Sequence, residues 1–303
     1  GTVQVQAAAA DGTTLVVFYD GATPIGSVTH DGSTWRDAGN SPIAGAFINW
    51  ATTPDGAHSL NATAWDALGN SIQAAAVAVS VDNTAPTASV TGPTGEMTTA
   101  DGAVTVAFNY TDANPQQATI YLVSASGVTI GTKTVTGLAA GTGVAMTETV
   151  QVSAGAAEEG FQAVVVLTDK TGASTASAPG GSGLVDNTDP VLVSGAPTNT
   201  TPSATVAISA TLTDAGGSAV NPSSISVTVD GALVAAVYTG TTITYTAPGL
   251  SDGEHTVTID AEDNSGNKAD QLVFSFTVDT TSPTLAITNP SENAWVSGTV
   301  NIE

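Results

Sequence analysis

Apolar and polar residues alternate with a period of two along most of the chain. In His255-Thr256-Val257-Thr258-Ile259-Asp260-Ala261 and in Thr205-Val206-Ala207-Ile208-Ser209-Ala210-Thr211-Leu212, aliphatic residues fall on one face and mainly polar ones on the other. Such runs predict half-buried strands. They are short and bounded by Gly, Pro and Asp-Gly pairs, the latter at Asp20, Asp31, Asp55, Asp230 and Asp252. These pairs supply the positive φ that tight hairpin turns require. No long stretch with a period of 3.6 competes, so almost no helix is expected.

The pattern also repeats on a larger scale. Val81-Asp82-Asn83-Thr84-Ala85-Pro86 returns as Val185-Asp186-Asn187-Thr188-Asp189-Pro190 and as Val278-Asp279-Thr280-Thr281-Ser282-Pro283, with the aspartates 104 and 93 residues apart. A second shared turn precedes each by 16 or 17 residues: Asp66 to Asn70, Asp169 to Ala173, and Asp263 to Asn267. A third match follows the strand near each unit's start, at Asp11, Asp112 and Asp214. Motifs that recur in register mark tandem units. Seven or so short strands in about 100 residues, with turns every 8 to 12, predict an all-β fold of three immunoglobulin-like β-sandwich domains without the disulfide. The repeats divide the chain at 1–82, 83–186 and 187–279, with 280–303 opening a further unit.

Charge and composition narrow the chemistry. With 27 Asp plus Glu against 4 Lys plus Arg, the net charge is −23, which excludes nucleic-acid binding through a basic surface. A hydrophobic content of 41% argues against disorder. There is no cysteine, hence no disulfide framework, thiolate metal site or cysteine nucleophile. The longest apolar run, Ala74 to Val81, is far shorter than the ~20 residues of a membrane helix, so no membrane insertion is expected. A chain rich in Gly, Ala, Thr and Ser and almost without Lys fits the bacterial cell exterior better than the cytosol.

The order strand, Asp-Gly-x-His, alternating strand, Ala-x-Asp-x-x-Gly-Asn, strand, Val-Asp-Asn-Thr-x-Pro resembles bacterial Ig-like repeats, and the third unit fits best. The tandem arrangement is similar to that of giant non-fimbrial adhesins exported by type I secretion, of the SiiE-like kind. That resemblance implies calcium at domain junctions, adjacent repeats as intramolecular partners, and host-surface glycans as the class of ligand bound by this or a distal region. The second unit departs from the pattern, reading Glu158-Glu159-Gly160-Phe161 in place of Asp-Gly-x-His and carrying Ala173 in place of the turn Asn. The two ends are alike, Gly298 to Glu303 against Gly1 to Gln6. The first unit is therefore expected to start after its own first strand. Thr284 to Thr288 and Val296 to Ile302 are expected to be the opening strands of the next unit, as in a slice of a longer array.

Recurring acids at the junctions are the leading candidates for chemistry. If strands run end to end in each sandwich, Asp66 and Asp82 meet Asp112 at the first junction, and Asp169 and Asp186 meet Asp214 at the second. Asp263 and Asp279 then form part of a third. Turn capping explains an isolated Asp-Gly, but not three acids at each junction in a chain with so few cations. Clustered hard oxygens call for a calcium ion, completed by backbone carbonyls near Asn83, Thr84, Asn187 and Thr188.

His58 and His255 occupy equivalent repeat positions, which points to a structural role at a strand start, and no catalytic motif is found. Trp35, Trp50, Trp65 and Trp295 are read as core packing in preference to a sugar-stacking platform. A calcium-stiffened, non-enzymatic stalk of a surface adhesin is the leading expectation. The alternatives are a subunit of a self-assembling surface layer or filament, and a spacer in an extracellular carbohydrate-active enzyme.

Overall fold

A computed structural model describes residues 1–52 and 54–299. Its ordered elements are all strands, and there is no helix among the described residues. The strands form six sheets, and none mixes strands from different repeat units.

The second unit shows why the period-two pattern yields a sandwich. Val104, Val106, Phe108 and Tyr110 on the strand Ala103–Asp112 are buried, as are Ile120 and Leu122 on Pro115–Ser124 and Val165 and Leu167 on Gly160–Asp169. Their faces meet in one cluster, while Thr105, Thr119, Gln162 and Thr168 alternate with them on the more exposed face. One sheet pairs Thr87–Val90, Ala103–Asp112 and Gly141–Gln151. The other orders Thr94–Thr98, Gly180–Val185, Gly160–Asp169, Pro115–Ser124 and Thr129–Thr136. The chain enters on the first sheet and crosses to the second, where Thr94–Thr98 pairs in parallel with Gly180–Val185.

The third unit repeats this plan, including the parallel pair of Thr200–Thr201 with Leu272–Val278. The first unit keeps the later strands only. Thr2–Gln6 pairs with Phe47–Ala51, opposite a sheet centred on Thr13–Asp20 and Gly56–Asp66. No strand equivalent to Thr87–Val90 or Thr94–Thr98 lies among its described residues.

Residues 280–299 form no strand. The expected strand at Thr284 to Thr288 is absent, as is the part of the second expected strand up to residue 299, and its remainder lies outside the described residues. No described strand pairs with this segment, and Leu285 is 97% exposed. Trp295 is likewise fully exposed, which corrects its assignment to a core. Trp50 is buried as expected, and Trp35 packs against the core of the first unit.

Candidate metal centre at the domain junctions

Antiparallel pairing decides which acids meet. Gly160 pairs with Leu184, close to the linker leaving the second unit, and the strand then runs away from that linker to Asp169. Ten residues at about 3.3 Å each carry the Asp169 turn some 30 Å towards the linker entering the unit. Asp112 ends a strand at the same pole, beside the Thr87–Thr111 pair. Asp82, Asp112 and Asp169 therefore converge at the first junction, and Asp186, Asp214 and Asp263 at the second. In each group, carboxylate oxygens from the three residues lie within 4.8 Å of one another.

The expected groupings are corrected accordingly. Asp66 does not join Asp82, and Asp169 does not join Asp186. The Asp-x-x-Gly turn serves the junction before its own domain, because the strand leading into it runs back towards that pole. Asp66 instead closes its own turn, accepting hydrogen bonds from the Leu68 and Asn70 backbone and the Asn70 side chain. Asp279 accepts the Thr281 amide and belongs to neither acidic group among the described residues.

At the first junction, Asp112 is 5% exposed and Asp169 fully buried. Asp82 Oδ1 accepts the Thr84 amide, and its Oδ2 accepts the Asn114 side-chain amide at 2.8 Å. Asp112 Oδ1 accepts the Asn114 backbone N–H, and Asp169 Oδ1 accepts from Thr171 and Ala173. Asp112 Oδ2 and Asp169 Oδ2 accept nothing, although both are buried. Burial, together with the neighbouring charges of Asp82 and Asp169, pushes the Asp112 carboxyl above its ordinary pKa.

Turn chemistry accounts for the Oδ1 bonds but not for two orphaned anionic oxygens facing a third carboxylate. Full charges near 5 Å repel by roughly 3 kcal/mol per pair at an effective dielectric of about 20, more than the ~1 kcal/mol net of a typical hydrogen bond. A cation among them removes that repulsion. The donors are all hard oxygens with no imidazole or thiolate, a set that fits calcium rather than zinc. The cluster opens on a cleft of about 730 Å³ lined by residues of both units, Asp55 and Asp82 on one side and Asp112 and Asn114 on the other.

The second junction has the same frame with different bonding. Asp186 Oδ1 accepts the Thr188 amide and Oδ2 the buried Ser218 amide at 2.8 Å. Asp214 accepts from Gly216, Ser218 and Ala219. Asp263 Oδ1 takes three backbone amides, and its Oδ2 takes the Asn267 side chain, which also donates to the Asp186 carbonyl across the junction.

A second set of acids was legible in the sequence only as turns. Asp55 and Asp252 were expected in hairpins, yet each precedes a strand and binds the linker leaving its own domain. Asp55 accepts from Asn83 N and Nδ2 and from Thr84 Oγ1, and Asp252 from Thr280 and Thr281. Those bonds hold the Asp55 and Asp252 carboxyls below the usual range. In the second unit Glu158 grips the linker through Asn187 N and Thr188 Oγ1. The signal was the spacing: acid and linker amide are separated by 28, 29 and 28 residues in the three units.

His58 and His255 each bridge a carboxylate and a backbone carbonyl. His255 Nδ1 lies 2.7 Å from Asp230 and Nε2 2.8 Å from the Ser251 carbonyl, and His58 repeats this with Asp20 and Pro54. Each ring faces two acceptors, and these bonds raise both histidine pKa values, the carboxylate bond first. In the second unit Phe161 takes this place, and its ring lies where a Gly183 side chain would stand.

Two stretches of the chain match protein families described as bacterial Ig-like domains: residues 217–280 match one, and residues 46–133 match the group 3 family. Residues 46–133 and 217–280 are thus of bacterial Ig-like type. No curated protein matches it significantly. Among solved structures, these repeats are similar to the fibronectin(III)-like modules of Clostridium thermocellum CbhA, at 15% identity over 63% of this chain and 94% of that one, with a TM-score of 0.33. They are also similar to a tetra-tandem repeat in the extending region of a large adhesion protein, at 20% identity over 90% of this chain and 68% of that one, with a TM-score of 0.34. Both similarities are distant.

Proposed function

We propose that these Ig-like repeats form a calcium-stiffened stalk segment of a bacterial surface adhesin, placed outside the cell to hold a binding domain away from it. The observation that carries this reading is the group Asp82, Asp112 and Asp169, of which the last two are buried. One acid comes from the linker and two from the following domain, and two oxygens lack partners. An ion held there fixes the linker to the second sandwich and removes the bending freedom between units. Extracellular modules bind calcium at about 10⁻⁴ to 10⁻³ M, so the ion would be gained on export from a calcium-poor cytosol.

Small-angle scattering in chelator and in millimolar calcium tests the reading. The expected result is a longer, narrower distribution of maximum dimensions with calcium, reversed by chelation. Identical distributions in the two conditions would overturn it.

A further inference from the structure

The two junctions share an acidic frame but differ in how its oxygens are satisfied. At the second, all six carboxylate oxygens of Asp186, Asp214 and Asp263 accept a protein hydrogen bond. At the first, Asp112 Oδ2 and Asp169 Oδ2 do not. For the turn acid, the difference traces to one position. Asn267 Nδ2 donates to Asp263 Oδ2 at 2.7 Å and to the Asp186 carbonyl at 2.9 Å, bridging the units. Asn70 makes the equivalent carboxylate bond in the first unit. The second unit has Ala173 there, which leaves Asp169 Oδ2 bare.

An amide that presents its N–H groups to a carboxylate and a carbonyl places the positive end of its dipole where a cation would otherwise draw both oxygens. It competes for the ion's ligands and also does part of the ion's mechanical work. Ser218 adds a second direct clasp through its buried amide to Asp186 Oδ2. We propose that the junctions divide these tasks: the Asp82, Asp112 and Asp169 site is the high-affinity calcium site, and the Asp186, Asp214 and Asp263 junction is clasped by the protein itself and takes calcium more weakly. This rests on the calcium reading above and adds to it which junction the ion controls. Ala173 against Asn267 is the residue difference that sets the order.

Calorimetric titration of the chelated full chain with calcium decides the matter. The wild type is expected to show one site at least tenfold tighter than the other. Ala173→Asn, which copies what Asn70 does in the first unit, should weaken the tighter site about tenfold or more. Asn267→Ala should bring the weaker site up towards it. The two variants move opposite ways, so if one loses its β-sheet signal the other still gives the answer. Two equal sites in the wild type would overturn the division of tasks and leave the calcium reading intact. So would a weakened second site in Asn267→Ala, the result expected if the amide turned its oxygen to the ion. No uptake at millimolar calcium would overturn both.

Discussion

Asn114 donates to both sides of the first junction: its backbone N–H binds Asp112 Oδ1 at 2.7 Å within its own domain, and its side-chain amide binds Asp82 Oδ2 at 2.8 Å in the linker. It is the direct protein bond from the second unit to this cluster's linker carboxylate, whereas the second junction has both Ser218 N and the Asn267 side chain. Without an ion the first junction is the weaker clasp.

Asn114→Ala should therefore loosen the first junction in chelator and leave the second as it was. The side chain contributes about 1 kcal/mol as one charge-assisted bond, and the sandwich core does not include it. Limited proteolysis should cut faster between residues 82 and 87, with the slowdown restored by calcium. Unchanged cleavage would show that the amide does not hold the linker.

Asp112→Asn replaces a buried carboxylate whose Oδ2 has no partner by a neutral group that can donate to Asp169 Oδ2. In chelator the second unit should be more stable by about 1 to 2 kcal/mol, because a buried unsatisfied polar atom costs that much. In calcium the gain should reverse, since the ion loses a charged ligand. Thermal unfolding in both conditions checks the crossing, and a variant less stable in chelator would contradict the orphaned-oxygen account.

Gly216→Ala tests the second clasp by sterics. A Cβ at this position would collide with the Asp186 carboxylate, which must then swing away and give up Ser218 N. The backbone there needs no positive φ, so the sandwich itself should tolerate the methyl. The expected outcome is faster amide exchange at Ser218 with unchanged protection on Val206–Thr213. Unchanged exchange at Ser218 would mean that the contact is absorbed without breaking this bond.

The histidine clasps make stability depend on pH. Their bonds to Asp20 and Asp230 raise the folded pKa of His58 and His255 above the unfolded value near 6.5. The contribution is therefore complete below pH ~6.5 and is lost as pH rises through the folded value. In chelator, denaturant unfolding should show stability declining from pH 6 to pH 9. The double variant His58→Phe with His255→Phe, which adopts the Phe161 solution of the second unit, should be flat over that range. A wild type with no slope would remove the ion-pair interpretation.

Much of the architecture follows from sequence because each step is local. A period of two with one apolar face allows little besides a sandwich strand, as Val104, Val106, Phe108 and Tyr110 show. Motifs recurring in register announced the units, and the same recurrence singled out Asp82, Asp112, Asp169, Asp186, Asp214 and Asp263 as a class.

Which of those acids meet was a matter for the tertiary structure. Sequence spacing places Asp66 16 residues before Asp82, but strand direction sends the Asp66 turn to the opposite pole of its domain and brings Asp169, 87 residues after Asp82, into contact range instead. The linker grip of Asp55, Glu158 and Asp252 depends in the same way on chain ends meeting across about 28 residues of intervening strand. Alternation is a property of neighbours along the chain and can be read there, whereas convergence depends on the sense in which antiparallel strands return, which exists only once the sheets are paired.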